Sequence, residues 1–394
     1  MPTRESLNPM FELQAAVIGT GFIGPVHIEG LQRAGVRVRG VLGSSLEKSK
    51  AVATQYGIEC AYASLAELLA DANVDVVHIT SPNRFHHAQT LACLAAGKHV
   101  LCEKPLAMNS GESAELVAAA RRSGLHTAVN YNVRYYPLCI EARQRVRSGE
   151  CGRIFHVSGS YVQDWLHQST DFNWRVLASE GGELRAIADI GTHWLDLVQS
   201  ITGLSIESVC ADLQTVHPVR QVFQGSRETF TVARDPDPSQ YRDQAIDTED
   251  FGSVLLRFSH GVRGVMHVSQ VTAGHKNSIR WEIASSQQSL AWDSRNAEGL
   301  WIGHRDQANQ VLPRDPSLLQ PVARAHAQYP GGHAEGFPDT FKQLFRAFYT
   351  QIETGQSGGL LEAPSFEDGH REIMVCEAIL ASARAGAWVH ISGS

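Results

Sequence analysis

A glycine-rich turn near the start of the chain has the residue types and spacing needed to hold a phosphate group. In a GxGxxG turn, the first glycine permits a tight bend and the second lets the backbone approach a pyrophosphate. The third lets the following helix pack on the preceding strand, and the N-terminus of that helix faces the anion. An ordinary structural loop is the alternative. The turn predicts these dinucleotide-binding residues: Gly19, Gly21, Phe22, Ile23 and Gly24.

The residues after the second expected strand bear on the choice between NAD and NADP. An NAD enzyme usually has Asp or Glu there, which bonds the ribose hydroxyls. This chain has Ser44 and Ser45, with Lys48 one turn further on and no carboxylate before Glu47. Small hydroxyls and a cation can accept a 2′-phosphate, so the sequence leans towards NADP and leaves NAD open. The same residues could instead form a helix start with an exposed lysine.

The elements that must position this turn alternate between strands and helices. Apolar runs typical of buried strands lie at 14–18, 36–42, 74–79, 99–102 and 127–129. Helical spacing is found between them, at 23–34, 46–56, 65–70, 85–96 and 113–123. This alternation predicts a Rossmann domain, a doubly wound parallel sheet, over residues 13–150. Residues 1–12 are expected to form an N-terminal tail.

The pattern changes in the second part of the chain, residues 151–394. Strand-like segments occur at 153–162, 206–215, 251–258, 262–271, 278–284 and 288–292. Ser259-His260-Gly261 indicates a hairpin. Helices are expected at 187–201, 337–352 and 366–385, and long surface or substrate-covering loops at 217–247 and 303–335. The fold class is therefore α/β, with a second domain built on a large, mainly antiparallel open sheet.

Polar residues follow two strands of the first domain. In a parallel nucleotide-binding sheet, the carboxyl ends of the strands face the cofactor. We therefore expect several residues at these ends to lie near it: Thr80, Pro82, Asn83, His86, Glu103 and Lys104. Taken alone, the tripeptide Glu103-Lys104-Pro105 is common, and its lysine could equally lie on the surface.

These motifs are followed by Glu180-Gly181-Gly182, by Asp189-Ile190-Gly191-Thr192-His193 with Asp196 beyond, and by Ala387-Trp388-Val389-His390-Ile391. The ordered set resembles the Gfo/Idh/MocA family, the glucose–fructose oxidoreductase and inositol dehydrogenase group, over nearly the whole chain. The resemblance implies an NAD(P)-dependent oxidoreductase acting on a secondary hydroxyl or ketone of a sugar, inositol or anhydrosugar. It also implies a homo-oligomer, a dimer or tetramer, formed through the open sheet.

The same resemblance implies that Lys104, Asp189 and His193 form the catalytic group. Asp189 and His193 are four residues apart and would share one face of a helix. His193 could remove the hydroxyl proton as hydride leaves, while Lys104 stabilises the oxygen and Asp189 orients base or substrate. The roles of Lys104 and His193 could be exchanged. Without Lys104, the pair of Asp189 and His193 would rather indicate a capped helix start with a core histidine. Asp196 could either support the imidazole of His193 or be a solvated carboxylate.

Other candidates have a functional and a packing interpretation of equal weight. Substrate contacts are expected from Arg134, Tyr161, Asp164 and Trp165, in addition to Lys104, Asp189 and His193. Trp174 and Arg175 resemble a Trp-Arg pair that the family often places near the cofactor. A loop with Tyr329, His333 and Glu335 could close over the substrate.

Composition limits the partners and the compartment. The formal net charge is -7, so no basic excess exists to neutralise the phosphates of a nucleic acid. No apolar stretch approaches the roughly 18 residues that a membrane span needs. The seven cysteines form no CxxC motif, which is typical of a reduced, cytoplasmic protein. The eighteen histidines are scattered without an HExxH motif, so we expect no metal site.

Two other functions are compatible with these motifs. A lyase or glycosidase that keeps its nicotinamide cofactor bound would oxidise its substrate only transiently. Net bond cleavage without net cofactor reduction would identify such an enzyme. A non-catalytic dinucleotide sensor would bind the cofactor but would carry a degraded catalytic set, which is not the pattern found here.

Overall fold

The computed structural model describes residues 10–224, 240–355 and 362–391. Their contacts form two compact units. Of the described residues, the first unit contains 10–107, 111–135, 336–355 and 362–370, and the second contains 108–110, 136–224, 240–335 and 371–391. The contacts therefore divide the chain differently from a single boundary at residue 150.

The first unit is built on a sheet of six parallel strands in the order β3-β2-β1-β4-β5-β6. The strands are β1 (Gln14–Ile18), β2 (Arg37–Leu42), β3 (Cys60–Tyr62), β4 (Val76–Ile79), β5 (His99–Cys102) and β6 (Thr127–Val129). The central strands β1 and β4 are almost wholly apolar and buried, as a sheet covered on both faces requires. The expected Rossmann architecture is confirmed.

Helices connect these strands, and most of them were expected from the sequence. They are α1 (Ile23–Ala34), α2 (Leu46–Tyr56), α3 (Leu65–Ala70), α4 (His86–Ala95) and α5 (Ser110–Ser123), with short 3-10 turns at Asn83–Phe85 and Asn132–Tyr135. Several end at a glycine in the left-handed region, such as Gly35 with φ 85°, a conformation that glycine adopts without steric cost.

A helix from much later in the chain completes the first unit. This helix, α10 (Phe337–Thr354), packs against α1. Gly30 of α1 makes the approach possible, because a Cβ at this position would lie 2.8 Å from the ring of Phe345. Phe11 also belongs to this core: it is 3% exposed, and its ring lies 5.6 Å from that of Tyr349. The expectation of a tail through residue 12 is therefore wrong for Phe11, while residues 1–9 lie outside the described residues.

The second unit contains a nine-stranded sheet in the order β16-β15-β14-β13-β7-β12-β11-β8-β17. Only β7 and β12 pair in parallel, so the sheet is mainly antiparallel, as expected. Its strands are β7 (Ile154–Val162), β8 (Ile206–Gln214), β11 (Phe251–Phe258), β12 (Arg263–Ser269), β13 (Ser278–Ser285), β14 (Ser289–Asp293), β15 (Gly299–Gly303), β16 (Gln310–Pro313) and β17 (Val389–His390). The expected hairpin around Ser259-His260-Gly261 joins β11 and β12.

Several elements of the second unit were not expected. Within the supposed loop 217–247, β9 (Val219–Phe223) and β10 (Tyr241–Ala245) pair as a separate two-stranded sheet. Within 303–335 lie β16 and the helix α9 (Pro321–His326). Polar side chains hide the alternation of these short elements. The other helices are α6 (Pro137–Arg147), α7 (Ala178–Gly181), α8 (Thr192–Thr202) and α11 (Phe366–Ala385), which contains residues of both units.

The helix α8 is embedded against one face of the large sheet. Every residue of α8 except Ser200 is buried. Gly159 of β7 leaves room for this helix, since a Cβ there would lie 2.4 Å from the indole nitrogen of Trp194. That nitrogen donates a hydrogen bond to the carbonyl of Arg280 on β13 at 2.9 Å. Any catalytic side chain on α8 is therefore held by a rigid support.

Candidate active site

The glycine turn has the geometry that a pyrophosphate site needs. Gly19 has φ 115°, a conformation that L side chains rarely adopt. A Cβ on Gly24 would lie 2.1 Å from the carbonyl oxygen of Gly19, whereas a Cβ on Gly21 would meet nothing within 4 Å. The helix α1 begins at Ile23 without a side-chain cap. In its first turn, the N–H of Gly24 donates to the carbonyl of Gly21 at 3.2 Å, and Pro25 has no N–H. The turn therefore fits the phosphates of a dinucleotide.

Two of the residues expected near the cofactor have structural contacts at this edge of the sheet, Thr80 with the glycine turn and His86 with the neighbouring loops. The hydroxyl of Thr80 donates to the carbonyl of Ile18 at 2.8 Å and fills the space where a Cβ on Gly19 would lie. The ring nitrogens of His86 contact the carbonyl oxygens of Ser81 and Pro105, both at 2.8 Å. His86 is fully buried, and burial lowers its pKa. It joins the loops that follow β4 and β5, close to where Pro82, Asn83 and Lys104 lie.

The residues after β2 form a helix start beside the glycine turn. Ser45 caps α2, and its hydroxyl accepts a bond from the backbone N–H of Lys48 at 3.4 Å. The ammonium of Lys48 lies 3.0 Å from the hydroxyl of Ser44, and both side chains are exposed. Gly43 brings this segment against the turn, because a Cβ there would be 3.0 Å from the hydroxyl of Thr20.

The carboxylate of Glu103 is the centre of a buried network in the first unit. Its Oε1 accepts bonds from Nε2 of His27 at 2.9 Å and from Nδ2 of Asn130 at 2.5 Å, and its Oε2 accepts from the backbone N–H of Lys104 at 3.1 Å. Burial alone would raise the pKa of Glu103. The hydrogen bonds from His27 and Asn130 and the charge of Lys104 outweigh burial and lower this pKa to about 2.

The network continues away from Glu103 through a second histidine. Nδ1 of His27 lies 3.0 Å from Nδ1 of His78, and Nε2 of His78 lies 3.2 Å from the hydroxyl of Tyr349 on α10. Burial and the charge of His27 lower the pKa of His78. These contacts form a continuous chain of buried polar groups from Tyr349 through His78 and His27 to Glu103. These residues were not predicted from the sequence, although a histidine within the apolar strand β4 is an unusual placement.

The lowered pKa of Glu103 predicts how stability depends on pH. Its carboxyl has an ordinary pKa of 4.5 and a folded-state pKa of about 2. Its stabilising effect is therefore complete above pH 4.5 and is lost as the pH falls through 2. We expect the wild-type protein to lose about 2 kcal/mol from this group between pH 5.5 and pH 3. Urea unfolding at both pH values should show a smaller loss for Glu103→Gln, whereas the exposed control Glu29→Gln should match wild type.

In the second unit, Asp189 is held from two sides. Its Oδ2 accepts a hydrogen bond from Nε2 of Gln270 at 2.7 Å, and its Oδ1 lies 3.5 Å from Nε of Arg175. Asp189 lies in a π-helical segment (Ile187–Gly191), which runs directly into α8 with His193. The ring of Tyr161 lies 6.2 Å from that of His193, and burial together with the charges of Tyr136 and Asp189 raises the pKa of Tyr161. These side chains form the polar cluster of the second unit.

Two buried carboxylates fix the start of this helical segment. Glu249 accepts hydrogen bonds from the backbone N–H groups of Arg185 and Ile187 at 2.8–3.0 Å. Burial raises the pKa of Glu249 to about 7. The adjacent Asp250 forms ion pairs with Arg185 and Arg220, all with fully buried side chains. Glu249 and Asp250 were not predicted from the sequence, although both are acidic and directly precede β11.

The remaining candidates differ in what holds them. The guanidinium of Arg175 lies 4.5 Å from the ring centre of Trp174, so these two residues form a cation–π pair beside Asp189. Trp165 packs on the buried cluster of Leu166, Val176 and Ile246. Asp164 accepts bonds from the Lys276 ammonium and the Gly274 N–H. In the first unit, Arg134 pairs with Asp368 at 3.3 Å.

The loop with Tyr329, His333 and Glu335 has a structural anchor. Glu335 is 2% exposed and forms an ion pair with Arg314 at 3.0 Å. The guanidinium of Arg314 also donates to the carbonyl oxygens of Tyr329 and His333. Glu335 therefore holds the loop, whereas Tyr329 is 45% exposed.

Asp196 is buried, at 2% exposure, so the alternative of a solvated carboxylate is wrong.

The described residues contain neither a metal-binding group nor a membrane-spanning helix. Within 10–224, 240–355 and 362–391, no three His, Cys, Asp or Glu side chains are grouped as a metal ion would require. Over the same ranges, every helix is too short or too polar to cross a membrane.

The parallel sheet and glycine turn define a dinucleotide-binding protein of the Rossmann class. The model of the oxidoreductase family with an NAD-binding Rossmann fold matches residues 13–131, and the GFO/IDH/MocA C-terminal domain matches residues 139–291. The chain belongs to the GFO/IDH/MocA family of oxidoreductases.

Individual relatives show how far the similarity extends. Levoglucosan dehydrogenase of Pseudarthrobacter phenanthrenivorans is 26% identical over 97% of this chain and 99% of its own length. A solved structure of levoglucosan dehydrogenase in complex with NADH and levoglucosan superposes with a TM-score of 0.85 at 26% identity, covering 97% of this chain and 100% of that one. The 1,5-anhydro-D-fructose reductase of Ensifer adhaerens is 35% identical over 47% of this chain and 55% of its own length.

Proposed function

We propose that this protein is an NAD(P)-dependent dehydrogenase that transfers hydride between a nicotinamide cofactor and a secondary hydroxyl or ketone of a sugar, inositol or anhydrosugar. The observation that carries the proposal is the cluster in which Gln270 and Arg175 hold Asp189 in the segment leading to His193. The names of the relatives, which act on levoglucosan and 1,5-anhydro-D-fructose, support an anhydrosugar within this class.

The proposed catalytic group consists of Lys104, Asp189 and His193. His193 removes the proton of the substrate hydroxyl, because its imidazole can exchange a proton near neutral pH. Lys104 donates a hydrogen bond to the same oxygen and stabilises its negative charge. Asp189, whose two oxygens are held by Gln270 and Arg175, orients the imidazole or a second substrate hydroxyl. An oxidised nicotinamide, when bound at the glycine turn, would supply the acceptor for the hydride.

Residues of the two units are assigned to cofactor and substrate in this proposal. The cofactor is bound by the glycine turn, by the segment after β2 and by the ends of β4 and β5, together with Trp174 and Arg175. Substrate is bound by Arg134 and Tyr161 in addition to the catalytic group. Asp164 and Trp165 are further proposed substrate contacts; like Arg134, which pairs with Asp368, each also has an ion-pair or packing partner within the protein.

A substrate screen tests the proposed function. The purified protein is mixed with NAD+ or NADP+ and with a panel of anhydrosugars, aldoses, glucosides and inositols, and reduced nicotinamide is followed by its absorbance. We expect stoichiometric cofactor reduction with at least one anhydrosugar or cyclic polyol. Absence of reduction across the panel, with cofactor binding confirmed by calorimetry, would contradict the proposal.

We also propose that Ser44 and Lys48 favour NADP. The family match supports NAD binding; the preference for the phosphorylated cofactor rests on the exposed Lys48 ammonium beside the Ser44 hydroxyl and on the absence of a carboxylate directly after β2. A charge-assisted bond contributes about 1.5–3 kcal/mol. Lys48→Ala should therefore raise the KM for NADP+ about tenfold and leave the KM for NAD+ within about twofold. Lys50→Ala is the control, and equal changes with both cofactors would refute this preference.

We further propose that the protein works as a homo-oligomer in the cytoplasm. One row of paired residues crosses the large sheet from Val311 to Cys210 and includes Trp301, Val265 and Leu255. Three large apolar side chains of this row, Val311, Leu255 and Val265, are 62%, 50% and 43% exposed, with the polar Glu282 and Ser158 between them. Exposed apolar side chains on one face of a sheet are typical of a subunit interface. Light scattering tests the homo-oligomer: wild type should have the mass of a dimer or tetramer, and Leu255→Asp a lower mass.

The proposed cytoplasmic location rests on the cysteines. All seven are free thiols, which supports a reducing compartment.

A further inference from the structure

The backbone of Gln270 is fixed on both sides. This residue directly follows β12, its N–H donates to the carbonyl of Asp250 at 3.0 Å, and its carbonyl accepts from the N–H of Leu166 at 3.1 Å. Its side chain is fully buried. The backbone hydrogen bonds and the burial of the side chain therefore fix the position of the Gln270 amide.

The amide of Gln270 is oriented by the carboxylate of Asp189. Its Nε2 donates to Oδ2 of Asp189 at 2.7 Å. A flipped amide would place one oxygen against another, which would be repulsive, so the donor must face Asp189. Its Oε1 is buried and has no hydrogen-bond partner among the described residues. Burial of an unpaired carbonyl is unfavourable, so satisfying the amide itself does not explain this arrangement.

The contact with Gln270 complements the one with Arg175. Arg175 lies beside Oδ1 of Asp189, and Gln270 donates to Oδ2. Both partners present N–H donors, which favour the ionised carboxylate and fix its plane. The Asp189 side chain remains 18% exposed, so it can still contact a substrate.

We propose that Gln270 is a positioning residue, which holds Asp189 as a fixed and ionised acceptor beside His193. This inference rests on the function proposed above. Gln270 acts only through Asp189, without touching substrate or cofactor. The other charged and titratable groups around this pair are Arg175, Tyr161 and His193 on the side of Asp189, and Asp250 with Arg185 and Arg220 behind Gln270.

Two substitutions of similar size test the proposal through the pH profile. In Gln270→Glu, a protonated carboxyl can donate to Asp189 as the amide does, but its loss of the proton places two carboxylates side by side. We expect kcat within about threefold of wild type at pH 5.5, and at least about tenfold below it at pH 8.5. Gln270→Met lacks the donor at every pH. It should lower kcat about tenfold throughout and keep the shape of the wild-type profile.

Alternative results would overturn the proposal. If Gln270→Glu loses the same factor at both pH values, the residue has only a structural role. If Gln270→Met turns over at the wild-type rate, the contact with Asp189 has no effect on the reaction. Thermal melting shows whether each variant folds. If Gln270→Met does not fold, the pH profile of the nearly isosteric Gln270→Glu decides whether the proposal holds.

A measurement without substrate separates this inference from the proposed function. The carboxyl carbon of Asp189 is followed by 13C NMR as the pH changes, in wild type and in Gln270→Glu. We expect the Asp189 signal of the variant to report proton uptake at least about one pH unit higher, because the two carboxylates share a proton. An unchanged titration overturns the positioning role. If wild type turns over no sugar, the proposed function fails and this titration alone decides the inference.

Discussion

Replacing Lys104 with methionine is expected to lower kcat by about two to three orders of magnitude, a typical effect of losing a group that stabilises charge in the transition state. Methionine keeps much of the volume and removes the ammonium. The loop itself should retain the hydrogen bond from the backbone N–H of Lys104 to Oε2 of Glu103, because this bond does not involve the substituted side chain. Steady-state kinetics with the substrate found by the screen measures the effect, and fluorescence titration measures cofactor affinity.

Two comparisons make this result specific to the ammonium. Lys50→Met removes an exposed lysine of α2 and should leave kcat unchanged. Lys104→Ala leaves space for a small amine, so added ethylamine should restore part of the lost rate. The restored rate should rise in proportion to the concentration of the protonation state of ethylamine that the reaction uses, either the free base or the cation. A Lys104→Met enzyme with kcat within about threefold of wild type would show that Lys104 does not take part in the chemistry.

Replacing His193 with asparagine is expected to reduce kcat by a factor of about 10²–10⁴, the usual contribution of a general base. His193 is 8% exposed, and its ring lies near that of Tyr161. Asparagine can still form hydrogen bonds but cannot take up the proton of the hydroxyl. If His193 is the base, kcat/KM of wild type should fall towards acidic pH as the base takes up a proton, and this fall should be absent from the variant.

The pH profile and a matched variant distinguish this role from simple packing. The exposed His390 at the end of β17 provides the control, and His390→Asn should keep the wild-type rate and profile. If His193→Asn retains the acidic limb, another group is the base, and the exchanged assignment with Lys104 becomes the correct one.

Much of the first unit could be predicted because its elements follow one another locally. The apolar runs at 14–18 and 99–102 coincide with β1 and β5, and the helix starting at Ile23 follows the glycine turn. The packing of α10 on α1 could not be predicted, since about 300 residues separate the partners and no periodicity records which core a helix joins. The strands β9 and β10 were missed because the side chain that β9 buries is the charged Arg220, and no residue of β10 is fully buried.

The site was predictable to the extent that short motifs report it. Asp189 and His193 are visible as a pair, but the residues that hold Asp189 are not. Gln270 is separated from Asp189 by 81 positions in the sequence. Glu249 accepts a hydrogen bond from the N–H of Ile187, which is 62 positions earlier. Glutamine and glutamate are common surface residues, and only burial distinguishes these two from the rest.

The late position of α10 affects how this chain folds during synthesis. When the ribosome has completed β6 at Val129, the first unit still lacks the helix whose Phe341 and Phe345 pack on His27, so the apolar surface of α1 remains uncovered. More than 200 further residues must be added before that helix exists. Nascent chains of this protein should therefore depend on chaperones between these two points, and protease resistance of the glycine turn should appear only in chains that extend beyond Thr354.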